Sequence, residues 1–451
     1  MQRAWATTAV LLILSLFFIF KSKDWVNRLG RPTVFSYDID QYYSYLPAAF
    51  IKGDLSFAYE HGYWTQKTEK GTQVPKVTMG MALLYAPWFA IAHAQVSGDK
   101  PPAEMTGYEA AFDRWIHRGT LVYALLAAFF TLQALFYFFK PWVAATAYLA
   151  TFFGTNLFYY TVIQGENVHS YLFFLLSLMI WATIKAHQKP KIIWIALLGI
   201  SYGWAALIRP TLLITALFPL LYQVHDRASL TAKVQFIKRL GWRWWVLIAG
   251  VALPILPQLF YWHWLTGHWL YYSYGSQEGF FWGDPKILEI LASYRAGWLI
   301  YTPFAILMLL GTLQLGAQWK NLRLAVLPLL LLSMYVISCW WDWWYGGAFG
   351  HRAFVHYYGF WLFPLAALLQ WIAQHRILKY LTFAFVGACM GLNLFQSKQF
   401  EHSIIHYDSM TREAYWYVFG KRYLTASGYE KLEQLLESPD YQAAQKGNRD
   451  L

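Results

Sequence analysis

Long apolar runs alternate with short polar breaks along most of this chain. Runs of membrane-spanning length lie near Trp5–Phe20, Met79–Gln95, Trp115–Phe139, Val168–Ile184, Ile192–Ile208, Thr211–Val224, Trp244–Trp264, Gly297–Leu315, Leu324–Trp340, Phe354–Trp371 and Tyr380–Phe395. They are continuous rather than alternating. The pattern therefore predicts helices, since a bilayer tolerates only helices or closed barrels. A further stretch, Pro141–Gly165, is interrupted by Gly154-Thr155-Asn156, which predicts two short helices. The expected fold is an all-α polytopic membrane protein of about thirteen spans.

The breaks set an orientation. Short basic loops hold Lys185, Lys189 and Lys191; Arg227, Lys233, Lys238, Arg239 and Arg243; Lys320 with Arg323; and Arg376 with Lys379. With the spans counted as above these fall on one side, which the positive-inside bias makes cytoplasmic. The other side receives Lys21–Thr78, Glu166–His169, Arg209, Thr266–Ala296, Asp342–Arg352 and the tail from Gln396. The basic cluster Lys21, Lys23, Arg28 and Arg31 runs against this assignment. Reading Pro141–Gly165 as one helix would flip everything before it. The chain divides into a membrane module, 1–396, with outer loops at 21–78 and 265–296, and a polar tail, 397–451, with one helix expected over Tyr429–Leu436. In the first loop Tyr42, Tyr43, Leu46, Pro47, Phe50 and Ile51 recur at helical spacing, predicting an interfacial helix with its aromatic side in lipid.

Composition agrees. The 451 residues are 58% hydrophobic and 13% charged, against about 25% charged for a soluble domain. The net charge of +12 fits loop bias and attraction to anionic lipid heads. No basic helix of nucleic-acid type and no zinc-finger spacing is present, which sets nucleic acid aside. Cys339 and Cys389 lie in separate apolar runs and read as buried thiols. Arg3 followed by an apolar run, with no small-residue cleavage site before Lys21, reads as a retained anchor.

Candidate chemistry gathers in the outer segments. Asp38 and Asp40 sit in Tyr37-Asp38-Ile39-Asp40-Gln41-Tyr42-Tyr43, just after the first span. A loop acid is ordinarily solvated, but the aromatic crowd here favours catalysis. Lys76 heads the second span, where a lysine can snorkel or meet an anionic head group. Glu166 and His169 open a mid-chain span and are three apart, so they share a helix face. Glu166 fits a capping role at a helix N-terminus. Ionisable groups at membrane depth also point to function, but two ligands do not make a metal site. Arg209 precedes Pro210 between two apolar spans, and a guanidinium's planar fork suits phosphate.

The later outer loop carries Tyr271, Tyr272, Tyr274, Gln277, Glu278, Asp284 and Arg295, with a turn-like Gly275–Gly279 that reads as a mobile lid. The run from Trp340 to Arg352 places four tryptophans, Trp343 among them, around Asp342. An interfacial belt is the plain reading, and flat aromatic faces also stack on sugar rings. Arg352 is a second phosphate candidate, with His351 beside it.

Four features in this order carry a resemblance: an acid-bearing loop after the first span, a basic head to the second, an outer glutamate opening a mid-chain span, and Arg-Pro on the outer face. Together they resemble the GT-C membrane glycosyltransferases, in particular the protein O-mannosyltransferase and lipid A aminoarabinose transferase branch. The likeness extends to about Phe395. It implies a sugar donor on a polyprenyl phosphate (undecaprenyl phosphate in bacteria) and inverting transfer to an acceptor glycan, lipid or protein. It implies the extracytoplasmic face of the bacterial inner membrane, and a role in the cell envelope. By position it makes Asp38 the base, with Asp40 second. It assigns the donor phosphate to Arg209, with Lys76, Arg295 and Arg352 behind. Sugar or acceptor contacts then fall to Glu166, His169, Tyr42, Tyr274, Glu278, Asp342, Trp343 and His351. No cofactor is assigned; a divalent cation stays open because metal dependence varies between branches. Two alternatives stand beside this reading: a transporter or flippase of lipid-linked sugars, and an O-antigen-ligase-like enzyme.

Overall fold

The computed structural model describes residues 1–28, 33–275 and 278–450, with side chains 19–28 left aside. Arg31, Ser276 and Gln277 lie outside the described residues, as do the side chains of Lys21, Lys23 and Arg28. The elements that matter here are α1 (Gln2–Arg28), α2 (Asp38–Tyr43), β1 (Thr65–Lys67), β2 (Gln73–Pro75), α3 (Gly80–Asp99), α4 (Ala110–Leu135), α5 (Pro141–Gly154), α6 (Val168–Gln188), α7 (Ile192–Ile208), α8 (Arg227–Arg239), α9 (Arg243–Thr266), α10 (Lys320–Cys339), α11 (Tyr358–Ile372) and α12 (Arg376–Glu401). Three tail helices follow: α13 (Arg412–Val418), α14 (Ala426–Glu433) and α15 (Tyr441–Gln445). The strands pair antiparallel as a small hairpin, Gln66 opposite Val74.

The protein is mostly helical. Among the described residues five helices are long and apolar enough to cross a membrane: α4, α6, α9, α12 and Ala317–Cys339, which includes α10. Several of the other expected spans are shorter or broken. Pro210 starts a 3-10 turn that runs to Ala216 before a short helix, Leu217–Leu221. The stretch Gly297–Leu315 is split into Trp298–Tyr301 and Ala305–Gly311, because Pro303 lacks the N–H a continuous helix needs. The Pro141–Gly165 stretch divides as expected, α5 ending at Gly154 and a π-type turn following at Tyr159–Ile163.

The outward surface is apolar. Trp245, Ile248, Leu253, Leu256, Phe260 and Trp264 of α9 are all exposed, at spacings of three to five residues along one face. A water-soluble protein would not leave such a stripe uncovered; a helix facing lipid would. On its inner side α9 meets α7 at very close range. A Cβ on Gly203 would lie 2.3 Å from the Val251 carbonyl oxygen, and one on Gly199 would lie 2.5 Å from that of Leu247. Small residues four apart let two backbones touch.

The core runs through α6, which is almost wholly buried. Its 21 residues span roughly 30 Å. His169 lies at its first turn and Lys185 at its last. α7 returns from the Lys189–Lys191 turn to Arg209. At the Lys185 end, Lys233 of α8 reaches His187 at 2.5 Å and the Pro219 carbonyl at 3.1 Å. The basic loops around α6, α7 and α8 thus gather at one end of the bundle, and the polar candidates at the other.

One expectation about the loops changes. The aromatic side of the α2 segment packs into protein rather than lipid. Tyr42, Tyr43, Leu46 and Pro47 are buried, and only Phe50 stays well exposed. The Tyr43 hydroxyl donates to the Gly107 carbonyl at 2.5 Å, and Tyr45 donates to Val77 at 2.7 Å. A buried phenol needs such a partner, and lipid offers none. The tail packs onto the bundle. Gln399 of α12 donates to the carbonyls of Val418 and Lys421, and the tail's far end docks under the tryptophan loop.

Candidate functional site

The site begins with a strained turn. Tyr37 has φ 48, a left-handed conformation uncommon for a tyrosine. It turns the chain directly into α2, whose first residue is Asp38. The Asp38 carboxylate accepts a hydrogen bond from Nη1 of Arg352 at 3.0 Å, and both side chains are largely shielded. Arg352 starts a 3-10 turn, Arg352–Tyr357, that leads into α11. That turn follows a loop anchored by Asn156, which donates to the Phe349 carbonyl at 3.1 Å and accepts from the Tyr358 hydroxyl at 2.8 Å. The break after α5 is therefore what holds the arginine loop in place.

Arg209 caps α7, where a cation is favoured by the helix dipole. It shares an electrostatic neighbourhood with Asp38: Tyr42 and Tyr274 each interact with both. Both arginines interact with His169, and Arg209 also reaches His356. His169 and His356 lie parallel, ring centres 6.0 Å apart. Several polar atoms in this knot are buried without hydrogen-bond partners among the described residues: Nε of Arg209, Nε of Arg352, both ring nitrogens of His169 and Nδ1 of His356. Native interiors rarely leave polar atoms unmatched. Here they fall at one place.

The two aspartates part company. Two residues apart on a helical turn, they cannot share a face. Asp40 accepts from the Tyr108 hydroxyl at 2.8 Å, and Tyr108 meets the Tyr63 hydroxyl at 2.6 Å. Burial raises the Asp40 pKa, against the lowering effect of that hydrogen bond. Asp38 alone faces the arginines.

Glu166 and His169 part as well. Glu166 precedes the Asn167 cap of α6, whose side chain accepts from Val168 N–H at 2.7 Å, so Asn167 does the capping. The Glu166 carboxylate instead pairs with Nδ1 of His117 on α4 at 2.6 Å, and its carbonyl accepts from Tyr85. His169 belongs to the arginine knot; Glu166 does not.

Lys76 and Glu278 form their own pair, Nζ to Oε1 at 2.6 Å. The lysine lies over the rings of Trp64 and Tyr274, 5.6 and 5.3 Å from their centres. Its charge is already met, so it is a weak candidate for a donor phosphate.

Three further expectations are corrected by position, and Asp342 is placed beside them. Arg295 directs Nη1 to the Asp408 carbonyl at 2.5 Å and stacks near Trp344, so it holds the tail. Trp343 is buried, and its Nε1 donates to the Arg449 carbonyl at 3.1 Å, leaving no open face for a sugar ring. His351 is buried, with Nε2 3.0 Å from the Trp343 carbonyl. Burial pushes its pKa down to about 3, so it supports the loop as a neutral ring. Asp342 accepts from Gly346 N–H at 3.0 Å within the same loop. Burial pushes it up to about 7, while the field of Arg352 lowers it. It borders the arginine without pairing to it.

Reasoning from sequence missed His356, His117, Tyr108 and Arg449. His117 carried a signal, an ionisable side chain inside the apolar run Trp115–Phe139. The other three owe their places to long-range packing that no local spacing announces. Among the described residues no three His, Cys, Asp or Glu side chains converge as a metal site would require. The two cysteines are free and buried. No family model matches the chain, and no curated protein matches it.

Proposed function

We propose that the protein is a membrane glycosyltransferase that moves a sugar from a polyprenyl phosphate to an acceptor hydroxyl, with inversion. In this reading the fold is a GT-C-like bundle of about thirteen spans, its shorter apolar helices crossing as pairs or tilted pieces. The working end is extracytoplasmic, because the basic loops lie at the opposite end of α6. The membrane is the inner membrane of a bacterium.

One observation supports the reading above others. A carboxylate held by one arginine lies in the same knot as a second arginine, and the unpartnered nitrogens of that knot belong to groups able to face a phosphate. The donor's lipid tail would stay among the apolar helices while its phosphate sits between Arg209 and Arg352. His169 and His356 lie buried in the field of Arg209.

The step balances. The acceptor oxygen attacks the anomeric carbon and forms the new C–O bond. Its proton passes to the Asp38 carboxylate. The bond from the anomeric carbon to the phosphate oxygen breaks, and polyprenyl phosphate leaves with the electron pair. General-base help of this kind is worth roughly a hundred- to ten-thousandfold. Arg209 and Arg352 stabilise the negative charge that grows on the departing phosphate. Asp38 works while paired because the guanidinium occupies only part of its acceptor capacity.

The test is transfer of radiolabelled sugar from a polyprenyl-phosphate donor into a covalent product, in membranes carrying wild type or Asp38→Asn. Wild type is expected to transfer, and Asp38→Asn to lose transfer while inserting normally. Full transfer by Asp38→Asn overturns the base assignment. Label that crosses the membrane without covalent product supports a transporter instead.

A further inference from the structure

A cleft opens between the β1–β2 hairpin and the loop that follows α9, with a volume of about 350 Å³, within the range of small-molecule pockets. We propose that it is the acceptor subsite and that it takes a neutral carbohydrate. The proposal rests on the transferase reading for its purpose, though not for its binding chemistry.

The walls are built features. The Trp64 N–H donates to Oε1 of Gln41 at 2.6 Å, which fastens the hairpin to α2 three residues after Asp38. The Ser273 hydroxyl donates to the Lys76 carbonyl at 2.6 Å and joins the two walls. Thr72 donates to the Leu265 carbonyl at the end of α9 at 2.9 Å. Gly275, at φ +79, sits so close to Gln66 that a Cβ there would lie 2.4 Å from the amide nitrogen.

The lining decides the ligand class. Lys76 and Glu278 neutralise one another at 2.6 Å, so the cleft presents no net charge to an anionic lipid head. The Trp64 indole is 46% exposed and supplies a flat apolar face at the rim. Gln66, Lys76 and Glu278 supply amide, ammonium and carboxylate groups. Sugar hydroxyls both donate and accept, and these groups offer both functions. An aromatic face beside paired donors and acceptors suits a pyranose ring, apolar on its C–H side and polar at its edge.

One residue joins the cleft to the arginine knot. Tyr274 lines it and interacts with Glu278, Asp38 and Arg209 alike. An acceptor sugar lying on Trp64 would therefore extend a hydroxyl past Tyr274 toward the Asp38 carboxylate. This moves Lys76 from the donor phosphate to the acceptor, beside Glu278, which was already expected at a sugar or acceptor.

The experiment measures binding with no donor present, so it does not depend on transfer. Purified full-length protein in detergent is applied to an array of neutral and anionic oligosaccharides, and separately to phosphatidylglycerol vesicles. Binding to at least one neutral oligosaccharide is expected, weakened about tenfold by Trp64→Ala and by Glu278→Gln. Trp64 is exposed, so its truncation leaves the fold standing, and Gln66→Ala gives an independent second probe. Binding to no neutral oligosaccharide overturns the proposal. So does binding that Trp64→Ala and Gln66→Ala leave untouched, or binding confined to anionic glycans or vesicles and lost in Lys76→Ala. If a neutral glycan binds here while labelled donor gives no covalent product, the cleft stands and the transferase reading falls.

Discussion

Asp38 and Arg352 are separated by 314 positions in the chain, yet their side chains meet at 3.0 Å. One opens α2 and the other closes the tryptophan loop. Only the whole bundle brings them together, so the pair reports on the global fold and not on either loop alone.

The pair separates two neighbouring acids. Asp38→Asn is expected to cut transfer by at least a hundredfold. Asp40→Asn is expected to stay within about tenfold of wild type, since Asp40 faces Tyr108 and Tyr63. Transfer rates of the two single variants, measured side by side, check this. Equal losses would place both acids in one role and contradict the division.

Arg209 has no such partner among the described residues. Its Nε is buried without a hydrogen bond, and among the described residues no salt bridge reaches it. Removing a preorganised charge from a reacting phosphate typically costs about a hundred- to thousandfold in kcat. Arg209→Ala should show that loss, and Arg209→Lys should recover only part of it because an ammonium lacks the planar fork. Lys76→Ala should leave donor affinity near wild type, measured as KM for the donor. A donor KM raised more by Lys76→Ala than by Arg209→Ala would reverse the assignment.

Asp342 gives the protein a pH signature. Burial raises its pKa to about 7 in the folded protein, against about 3.9 in an unfolded chain. The folded state therefore holds the proton more tightly. The stability this supplies is complete below about pH 4 and is lost as pH rises through about 7. Thermal unfolding in detergent should show a midpoint that falls across this window, and falls less in Asp342→Asn. Parallel curves for the two proteins would show that Asp342 is not the group responsible.

Arg449 is a lock near the end of the chain. Its side chain is fully buried, donating Nη1 to the carbonyls of Ser338 at 3.2 Å and Trp340 at 2.8 Å, and Nη2 to Asp284 at 3.2 Å. Arg449→Ala leaves those oxygens unmatched, at a cost of roughly 1–3 kcal/mol. A lowered unfolding midpoint and faster proteolytic trimming of the tail are the expected results. An unchanged midpoint would mean that the tail is not clamped through this residue.

Much of the helical plan was legible because apolar runs and breakers act locally. Ile192–Ile208 has the expected bounds, and the Gly154-Thr155-Asn156 interruption falls where its residues place it. The count of spans was less legible, since Pro210 and Pro303 convert continuous hydropathy into short pieces. For the site, Asp38, Arg209 and Arg352 stood out as charges beside apolar runs, and they do converge. Spacing misled where two residues shared a helix face only on paper: Glu166 turned to His117 and left His169 behind. The tryptophan loop misled for another reason. Its density looked like a surface for sugars, but Trp343 was answering the tail, and nothing in the local sequence foretells that Arg449 arrives beneath it.

The most direct test is a density map of the protein with a non-hydrolysable polyprenyl-phosphate sugar bound. The account predicts phosphate density within hydrogen-bond reach of Arg209 and Arg352, the anomeric carbon facing Asp38 and the lipid tail running out among the apolar helices. Phosphate density at the opposite end of α6, beside Lys185 and Lys233, would contradict it.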